Sequence, residues 1–194
     1  NFGLRAGLLL VPVGITNEVH EPPVWLGTTR PLTENKIIPT TWRESGFGIF
    51  GETEAFSYRA YLVNSLDGVG GGSSGASGFS SSGLRGGRQK GSKAVAENFS
   101  AVGRIDYTGT PGLMIGTSFY TGDQGHNREL NGRKVSIGTN IWEAHFKYQA
   151  RGFDFQALTA LASVTNADDL NELKGLSGSG SVGEKLSGWY AQVG

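Results

Sequence analysis

Carboxylates that could act in pairs stand at three positions of the sequence, Asp106, Glu143 and Asp154. Two facing carboxylates can work as general acid and general base, as they do in glycoside hydrolysis. Each of these three residues lies in a segment where apolar and polar residues alternate, and alternation explains a polar residue without any chemistry. The serines offer no nucleophile-elbow setting for a Ser/His/Asp triad. We therefore expect no enzymatic activity.

Metal and cofactor sites are not indicated either. The three histidines, His20, His126 and His145, have no ligand partner at a zinc-binding spacing, and the chain contains no cysteine. The sequence GGGSSG at 70–75 formally fits a dinucleotide fingerprint, but it opens no helix and belongs to no βαβ pattern. We expect no bound metal and no cofactor.

Charge and composition narrow the class of protein. Seventeen Lys and Arg residues balance 17 Asp and Glu, so no net field attracts nucleic acid. The 32 glycines favour strands, because glycine costs roughly 1 kcal/mol inside a helix. The longest strongly apolar run, 8–13, is far shorter than the about 20 residues of a membrane-spanning helix. An all-β fold is expected.

Eight segments alternate apolar and polar residues with period two, which is typical of strands with two differently solvated faces. Most are near the roughly 9 to 11 residues of a tilted membrane strand, longer than strands of soluble sheets. The predicted strands are 2–12, 45–52, 55–64, 98–108, 112–121, 134–149, 153–163 and 184–193. A short helix over 166–173, capped by Asn166, is also predicted.

The connections between these strands alternate between long and short. We expect long loops near 13–44, 65–97, 122–133 and 165–183, with short turns near 53–54, 109–111 and 151–152. Outer-membrane barrels have this pattern, with short turns on one side of the membrane and long loops on the other. The sequence therefore predicts a single β-barrel domain over 1–194, antiparallel and transmembrane.

The two predicted faces differ in chemistry, and each suggests its surroundings. On one face lie Phe99, Ile105, Ile115, Phe119, Phe146 and Phe155, which we expect to contact lipid. The other face would line a water-filled pore with Arg5, Arg59, Arg104, Asp106, Glu143, His145, Lys147, Asp154 and Gln156. Aromatic residues near predicted strand ends are expected to form girdles at the membrane interfaces: Trp25, Trp42, Trp142, Trp189, Tyr107, Tyr120, Tyr148 and Tyr190.

The segment 68–91 is rich in glycine, serine and basic residues, and we expect a flexible insert unable to bury a core. Its cations are Arg85, Arg88 and Lys90, followed by Lys93. They have two interpretations. Either they are simply solvated, or they contact lipopolysaccharide phosphates or attract anions to a pore mouth.

One stretch resembles a known family. It comprises GLLLVPVG at 7–14, Asn17, HEPP at 20–23, Arg30-Pro31, Ile38-Pro39, Thr41-Trp42 and Glu44-Ser45-Gly46. It is similar to bacterial outer-membrane porins of the phosphate-selective porin O and P type, in which a strand ending in a Pro-x-Gly step leads into a long loop. The resemblance implies a barrel of about sixteen to eighteen strands, commonly trimeric, through which small solutes diffuse.

The sequence departs from that family in ways that shape the expectation. Eight strands and no terminal aromatic residue lead us to expect a fragment of a porin, roughly half of its barrel. The mixed signs on the polar face predict weak charge selectivity rather than a phosphate pore. The partners expected are outer-membrane lipid, lipopolysaccharide and small hydrophilic solutes. Two alternatives stay open: a small closed barrel serving as an anchor or adhesin, and a soluble β-sandwich binding module.

Overall fold

The computed structural model describes residues 1–19 and 26–194, and eight long strands dominate it. The strands are β1 (Phe2–Leu10), β2 (Arg43–Glu52), β3 (Phe56–Asn64), β4 (Phe99–Tyr107), β5 (Leu113–Asp123), β8 (Gly138–Ala150), β9 (Phe153–Val164) and β10 (Lys185–Val193). They form one antiparallel sheet in the order β1-β2-β3-β4-β5-β8-β9-β10. His20, Trp25 and the family-like stretch 20–23 lie outside the described residues.

Smaller elements lie between the long strands. Two short strands, β6 (Glu129–Leu130) and β7 (Arg133–Lys134), form a separate hairpin, so the strand predicted to begin at residue 134 begins at Gly138. The helix α1 (Ala167–Lys174) lies where it was predicted, but Asn166 does not cap it with its side chain, which donates instead to the Ser136 carbonyl at 2.7 Å. No helix among the described residues is long and apolar enough to cross a membrane.

Each long strand pairs with the long strands that precede and follow it in the chain, and the β6–β7 hairpin lies in the connection between β5 and β8. The predicted eight antiparallel strands are therefore confirmed. The sheet is not closed, because β1 and β10 are its two edges and do not pair within the described residues. The described residues therefore form an open sheet and not a closed barrel.

The alternation of long and short connections is also confirmed. Short turns cover 53–55, 108–112 and 151–152, whereas long connections cover 11–42, 65–98, 124–137 and 165–184. At the turn between β8 and β9, Arg151 and Gly152 have φ values of 51° and 87°, as a two-residue hairpin turn of the primed type requires. Tyr148 pairs with Phe155 across this turn, as a two-residue connection at 151–152 requires.

One face of the sheet, here called the outer face, is apolar and exposed. Phe99, Ile105, Ile115, Phe119 and Phe155 lie on it with 37% to 53% of their surfaces accessible, and the half-buried Phe146 joins them. Its strand pairs carry apolar residues opposite one another, such as Phe47 with Leu62 and Ile115 with Phe146. Other exposed members of this face are Phe2, Leu4, Ile49, Phe56, Trp142, Leu161 and Trp189.

Charged residues reach outer-face positions of the eight strands only beside long connections. Arg43 begins β2, Asp123 ends β5 and Lys185 begins β10. All three positions meet a long connection rather than a short turn. Between the strand ends, the outer face carries no charge, so it forms a continuous apolar band across the sheet.

The opposite face, here called the inner face, is covered by the long connections, which bury the hydrophobic core of the chain there. Trp42 packs edge-on against Tyr120 with ring centroids 4.7 Å apart, and both side chains are fully buried. The prediction that these two aromatics belong to interfacial girdles is therefore wrong. Tyr190 also lies on the inner face, half-buried, whereas Tyr107 and Tyr148 lie on the outer face at the short-turn ends of their strands.

The segment 68–91 is not the floppy insert that its composition predicts. Phe79 and Leu84 are completely buried in the core. Backbone hydrogen bonds tie the segment to itself and to the next long connection, including Phe79 N–H to Gly68 O and Gly68 N–H to Gln124 O at 2.7 and 2.9 Å. Two large apolar side chains at the right places are enough to anchor a glycine-rich stretch.

Candidate functional site: a polar network on the inner face

Four neighbouring strands, β3, β4, β5 and β8, bring polar and charged side chains to one level of the inner face. In the register of the sheet, Arg59 stands opposite Arg104, and Ser118 stands opposite Glu143. Asp106 and His145 stand on either side of Gly116. A side chain at Gly116 would collide with both of them, so its absence lets the Asp106 carboxylate and the His145 ring meet across β5.

The polar atoms form one continuous chain of hydrogen bonds. Ser118 Oγ donates to Glu143 Oε2 at 2.6 Å. His145 Nδ1 lies 2.6 Å from Glu143 Oε1, and His145 Nε2 lies 2.9 Å from Asp106 Oδ1. Arg104 Nε donates to both Asp106 oxygens at 2.9 and 2.8 Å. Both carboxylates are thereby engaged by protein donors.

The network is almost completely shielded from solvent. The side chains of His145 and Glu143 are 0% exposed, and those of Asp106 and Arg104 are 3% and 5% exposed. Buried charges persist only when they are paired, since removing one partner costs about 3–5 kcal/mol. Ser118 bonds Glu143 rather than a histidine, and His145 is closed in on both nitrogens. The arrangement suits an ion-pair network that fixes its neighbours better than a set of catalytic groups.

The network holds a long connection against the sheet. The connection between β1 and β2, residues 11–42, is here called the inner segment, and it is described over 11–19 and 26–42. Arg104 Nη1 donates to the Gly14 carbonyl at 2.6 Å. Glu18 pairs with Arg59 Nε at 3.1 Å and with Arg104 Nη1 at 3.6 Å. The inner segment is thus bound through the same charges that bind the strands to each other.

A second attachment of the inner segment lies on the same inner face, at the edge strand β10. Glu34 is buried and accepts hydrogen bonds from Thr16 N–H at 2.8 Å and from Tyr190 OH of β10 at 2.7 Å. Burial raises the pKa of Glu34, although both donors act to lower it. The inner segment therefore crosses the inner face from β4 to β10.

Asn17 fixes the two ends of the inner segment to each other. Its Nδ2 donates to the Val11 and Trp42 carbonyls at 2.8 and 2.9 Å. Its Oδ1 accepts from Trp42 N–H at 2.6 Å. The two ends of the inner segment are therefore held together by hydrogen bonds at Val11 and Trp42.

A cavity of about 600 Å³ remains between the inner segment and the short-turn side of the sheet. Its charged lining includes Glu18, Arg59, Asp106 and Lys147, and residues of the turn between β4 and β5 border it. Both signs of charge face this space. It could hold water or a small polar solute.

All nine residues predicted to line a pore fall on the inner face, but they are not all accessible. Arg59, Arg104, Asp106, Glu143 and His145 meet in the network. Lys147 Nζ lies 3.9 Å from Asp154 Oδ2, nearer the short turns, and the buried Gln156 stands opposite Lys147. Arg5 stands apart, with its guanidinium 4.3 Å from the Phe50 ring centroid and Nη1 donating to Tyr61 OH at 3.2 Å.

Sequence reasoning missed the residues that attach the inner segment. Glu18 and Glu34 lie in an irregular stretch where no periodicity exists to assign a face. Ser118 could have been found, because the alternation of β5 puts it on the inner face between Phe119 and Thr117 on the outer one. Gly116 could not, since only the paired strands show what a side chain there would strike.

The basic residues of 68–91 gather at a second cavity, of about 350 Å³. Arg85, Arg88 and Lys90 line it together with Lys36 of the inner segment. Arg85 Nε donates to Thr40 Oγ1 at 2.7 Å, and Arg88 Nη1 donates to the Thr40 carbonyl. Burial and the neighbouring Arg85 lower the pKa of Arg88. Lys93, predicted to join this group, does not line the cavity and is exposed.

Comparisons with known proteins add one relative and no assigned function. A curated relative, an uncharacterized protein from Aquifex aeolicus (strain VF5), is 37% identical over 198 residues. The match covers 99% of this chain and 43% of the relative, so the chain spans less than half the length of that protein. No family model matches the chain, and no solved structure matches it.

Proposed function

We propose that the chain forms part of a bacterial outer-membrane β-barrel, a porin-like channel for passive diffusion of small hydrophilic solutes. The observation that carries the proposal is which face of the sheet is exposed and which is covered. Its apolar face is exposed, while its charged face is covered by the chain's own long connections. A membrane strand needs this arrangement, because lipid surrounds the outside of a barrel and polar groups line the inside.

A water-soluble alternative would have to cover the outer face. Soluble proteins rarely expose contiguous apolar patches larger than a few hundred Å². In a β-sandwich, a second sheet would pack on the apolar outer face, yet the long connections of this chain pack on the inner face, which carries both the buried core and the charged network. The apolar band between the charged positions Arg43 and Lys185 at one end and the short turns at the other fits a bilayer better.

The edges of the sheet bear on the size of the barrel. A lipid environment cannot satisfy the backbone groups of an open edge, so β1 and β10 must find partners in a membrane. A small closed barrel would join them to each other, which the described residues do not do. We favour a larger barrel completed by further strands. A relative more than twice as long as this chain is compatible with that, and trimer formation remains part of the proposal.

The inner segment would narrow such a channel, since it is bonded to the inner face from β4 to β10. The cations on its path are largely matched by carboxylates. Arg59 and Arg104 both face Glu18 and Asp106, and Lys147 lies near Asp154. A selectivity filter needs a ring or ladder of one sign at close quarters. Weak charge selectivity is the expected property.

Planar bilayer recording of the full-length protein tests the proposal. Protein folded in detergent should produce discrete conductance steps with a linear current–voltage relation. The same sample unfolded by heat serves as the control and should produce none. Folded protein that never inserts, or that stays monomeric and soluble after the detergent is removed, would overturn the membrane-channel proposal.

A further inference from the structure

We propose that the outer face of β1 to β4 binds a membrane lipid that carries phosphate groups. The acyl chains would lie in an apolar groove, and the phosphates would bind at the basic cavity near it. The proposal rests on the proposed membrane location. It goes further by assigning a ligand class and two subsites to particular residues.

The acyl subsite is a groove of about 710 Å³ on the outer face. Its walls include Leu4, Phe47, Ile49 and Leu62, and its floor is low because alanine occupies positions such as Ala60 and Ala101. Small residues between large exposed ones leave a channel into which a hydrocarbon chain can pack. Packed acyl chains would gain dispersion contacts along the groove.

The phosphate subsite is the cavity lined by Lys36, Arg85, Arg88 and Lys90. Serine hydroxyls, including Ser80 and Ser82, line it too, and no carboxylate does so among the described residues. Arginine forks and hydroxyl donors are the groups that proteins use for phosphate. Arg85 and Arg88 are held in place by Thr40, so part of the site is formed before any ligand arrives.

The two subsites share no lining residue, but Leu8 and Gly91 connect them at the long-connection end of the sheet. Lys90 lines the basic cavity, and the next residue, Gly91, lies against the side chains of Leu8 and Ser45. Leu8 stands on the same outer row of β1 as Leu4, which borders the groove. Arg43 is also on the outer face, at the start of β2 beside the long connection 11–42. Cations thus stand where a lipid headgroup meets its acyl chains.

Continuity between the subsites favours a lipid over soluble phosphate. A free anion would use the cations alone and leave the groove without a role. A phosphorylated lipid uses both, and the outer face would present the groove to acyl chains in any case.

Native mass spectrometry of the full-length protein in detergent can measure this binding with diphosphoryl lipid A as the probe. The triple variant Arg85→Gln, Arg88→Gln, Lys90→Gln should lose about tenfold or more in affinity, as expected when several charge-assisted hydrogen bonds are removed. The matched control, Arg133→Gln with Lys134→Gln, removes two cations from another long connection and should bind normally. Heat-modified gel mobility checks that each variant is folded.

A second, independent variant tests the groove. Ala60→Phe fills the acyl subsite without removing a cation and should also weaken lipid A binding several-fold, whereas Ala191→Phe on the outer face of β10 should not. Lipid A stripped of its phosphates should bind the wild-type protein more weakly than the intact lipid.

Any of three results would overturn the lipid-binding proposal. They are unchanged lipid A affinity in the folded triple variant, unchanged lipid A affinity in Ala60→Phe, and displacement of lipid A by millimolar inorganic phosphate. The last of these would identify a site for soluble anions. Failure of the channel proposal would appear differently, as missing conductance steps in the bilayer recording. Lipid binding is measured by mass spectrometry and does not depend on conductance.

Discussion

Arg104 donates a hydrogen bond from Nη1 to the backbone carbonyl of Gly14 at 2.6 Å, although the two residues are 90 positions apart in the chain. The arginine belongs to the middle of β4 and is bonded to Asp106, so it is fixed by the sheet before it reaches Gly14. The buried Arg104 side chain thereby attaches the inner segment directly to the sheet. The width of the proposed channel depends on this attachment.

Removing the Arg104 side chain should loosen the inner segment. Arg104→Gln leaves the Gly14 carbonyl and part of Asp106 without a donor, a loss of the order of 3–5 kcal/mol for a buried ion-pair network. We expect a larger single-channel conductance, or a noisier one, in planar bilayers. Arg5→Gln is the matched control, since Arg5 lies on the same face but bonds Tyr61 rather than the inner segment. Equal conductance in wild type and folded Arg104→Gln would contradict the attachment.

The docking of the inner segment should weaken as the pH rises. Burial raises the pKa of Glu34, so the docked state holds a proton to higher pH than the undocked one. At pH values below the ordinary pKa of about 4.5, Glu34 is protonated in both states, and the docked segment keeps its full stability. Stability of the docked segment is then lost progressively as the pH climbs toward the raised pKa, because the carboxylate must ionise in a buried site.

Thiol labelling can follow this effect, because the chain has no cysteine of its own. The labelling rate of Ile15→Cys, divided by that of the exposed Ser82→Cys, should rise with pH. Adding Glu34→Gln should remove the rise, since glutamine cannot ionise, while Glu129→Gln at an exposed position should leave it unchanged. A pH profile that survives Glu34→Gln would assign the titration to another group.

A charge in the apolar band of the outer face should be costly. Phe119→Arg places a cation in the middle of β5 and should destabilise the vesicle-folded protein by roughly 2–4 kcal/mol. Phe153→Arg, at the short-turn end of β9, should cost only about 0–1 kcal/mol, because the penalty falls toward the interface. Equal effects of the two substitutions in a folding titration would exclude a bilayer around this face.

Weak charge selectivity follows from the pairing of signs on the inner face. Under a salt gradient, the reversal potential of the full-length channel should stay close to zero. Neutralising Arg85, Arg88, Lys90 and Lys93 together should change it little, because exposed charges beyond about 8 Å are largely screened at physiological salt. Strong anion selectivity that persists in this variant would instead favour a dedicated phosphate pore.

The sequence predicted the sheet well because alternation is a local property of each strand. The eight strands follow from period-two patterning, and the short turn at Arg151 and Gly152 follows from turn chemistry. The same patterning placed Arg59, Asp106 and His145 on one face. It could not state that they bond each other, since that depends on Gly116 and on the stagger between strands.

The long connections were predicted poorly for a physical reason. Their structure depends on a few isolated anchors, such as Phe79, Leu84 and Trp42, which pack against the inner face rather than against their neighbours in sequence. Composition averages over such anchors and therefore indicated flexibility. Glu34 is the clearest case, because only its distant partner Tyr190 reveals that it is buried and bonded.

Quenching of tryptophan fluorescence by brominated lipids tests the central claim most directly, because it reports contact between the outer face and acyl chains. Variants of the full-length protein that keep Trp142, Trp189 or Trp42 as a single tryptophan would be folded into vesicles. Trp142 and Trp189 lie on the outer face with 42% and 76% of their surfaces exposed, whereas Trp42 is 0% exposed. We predict strong quenching of the first two and little of Trp42. Folded protein in which Trp142 and Trp189 are quenched no more than Trp42 would contradict the account.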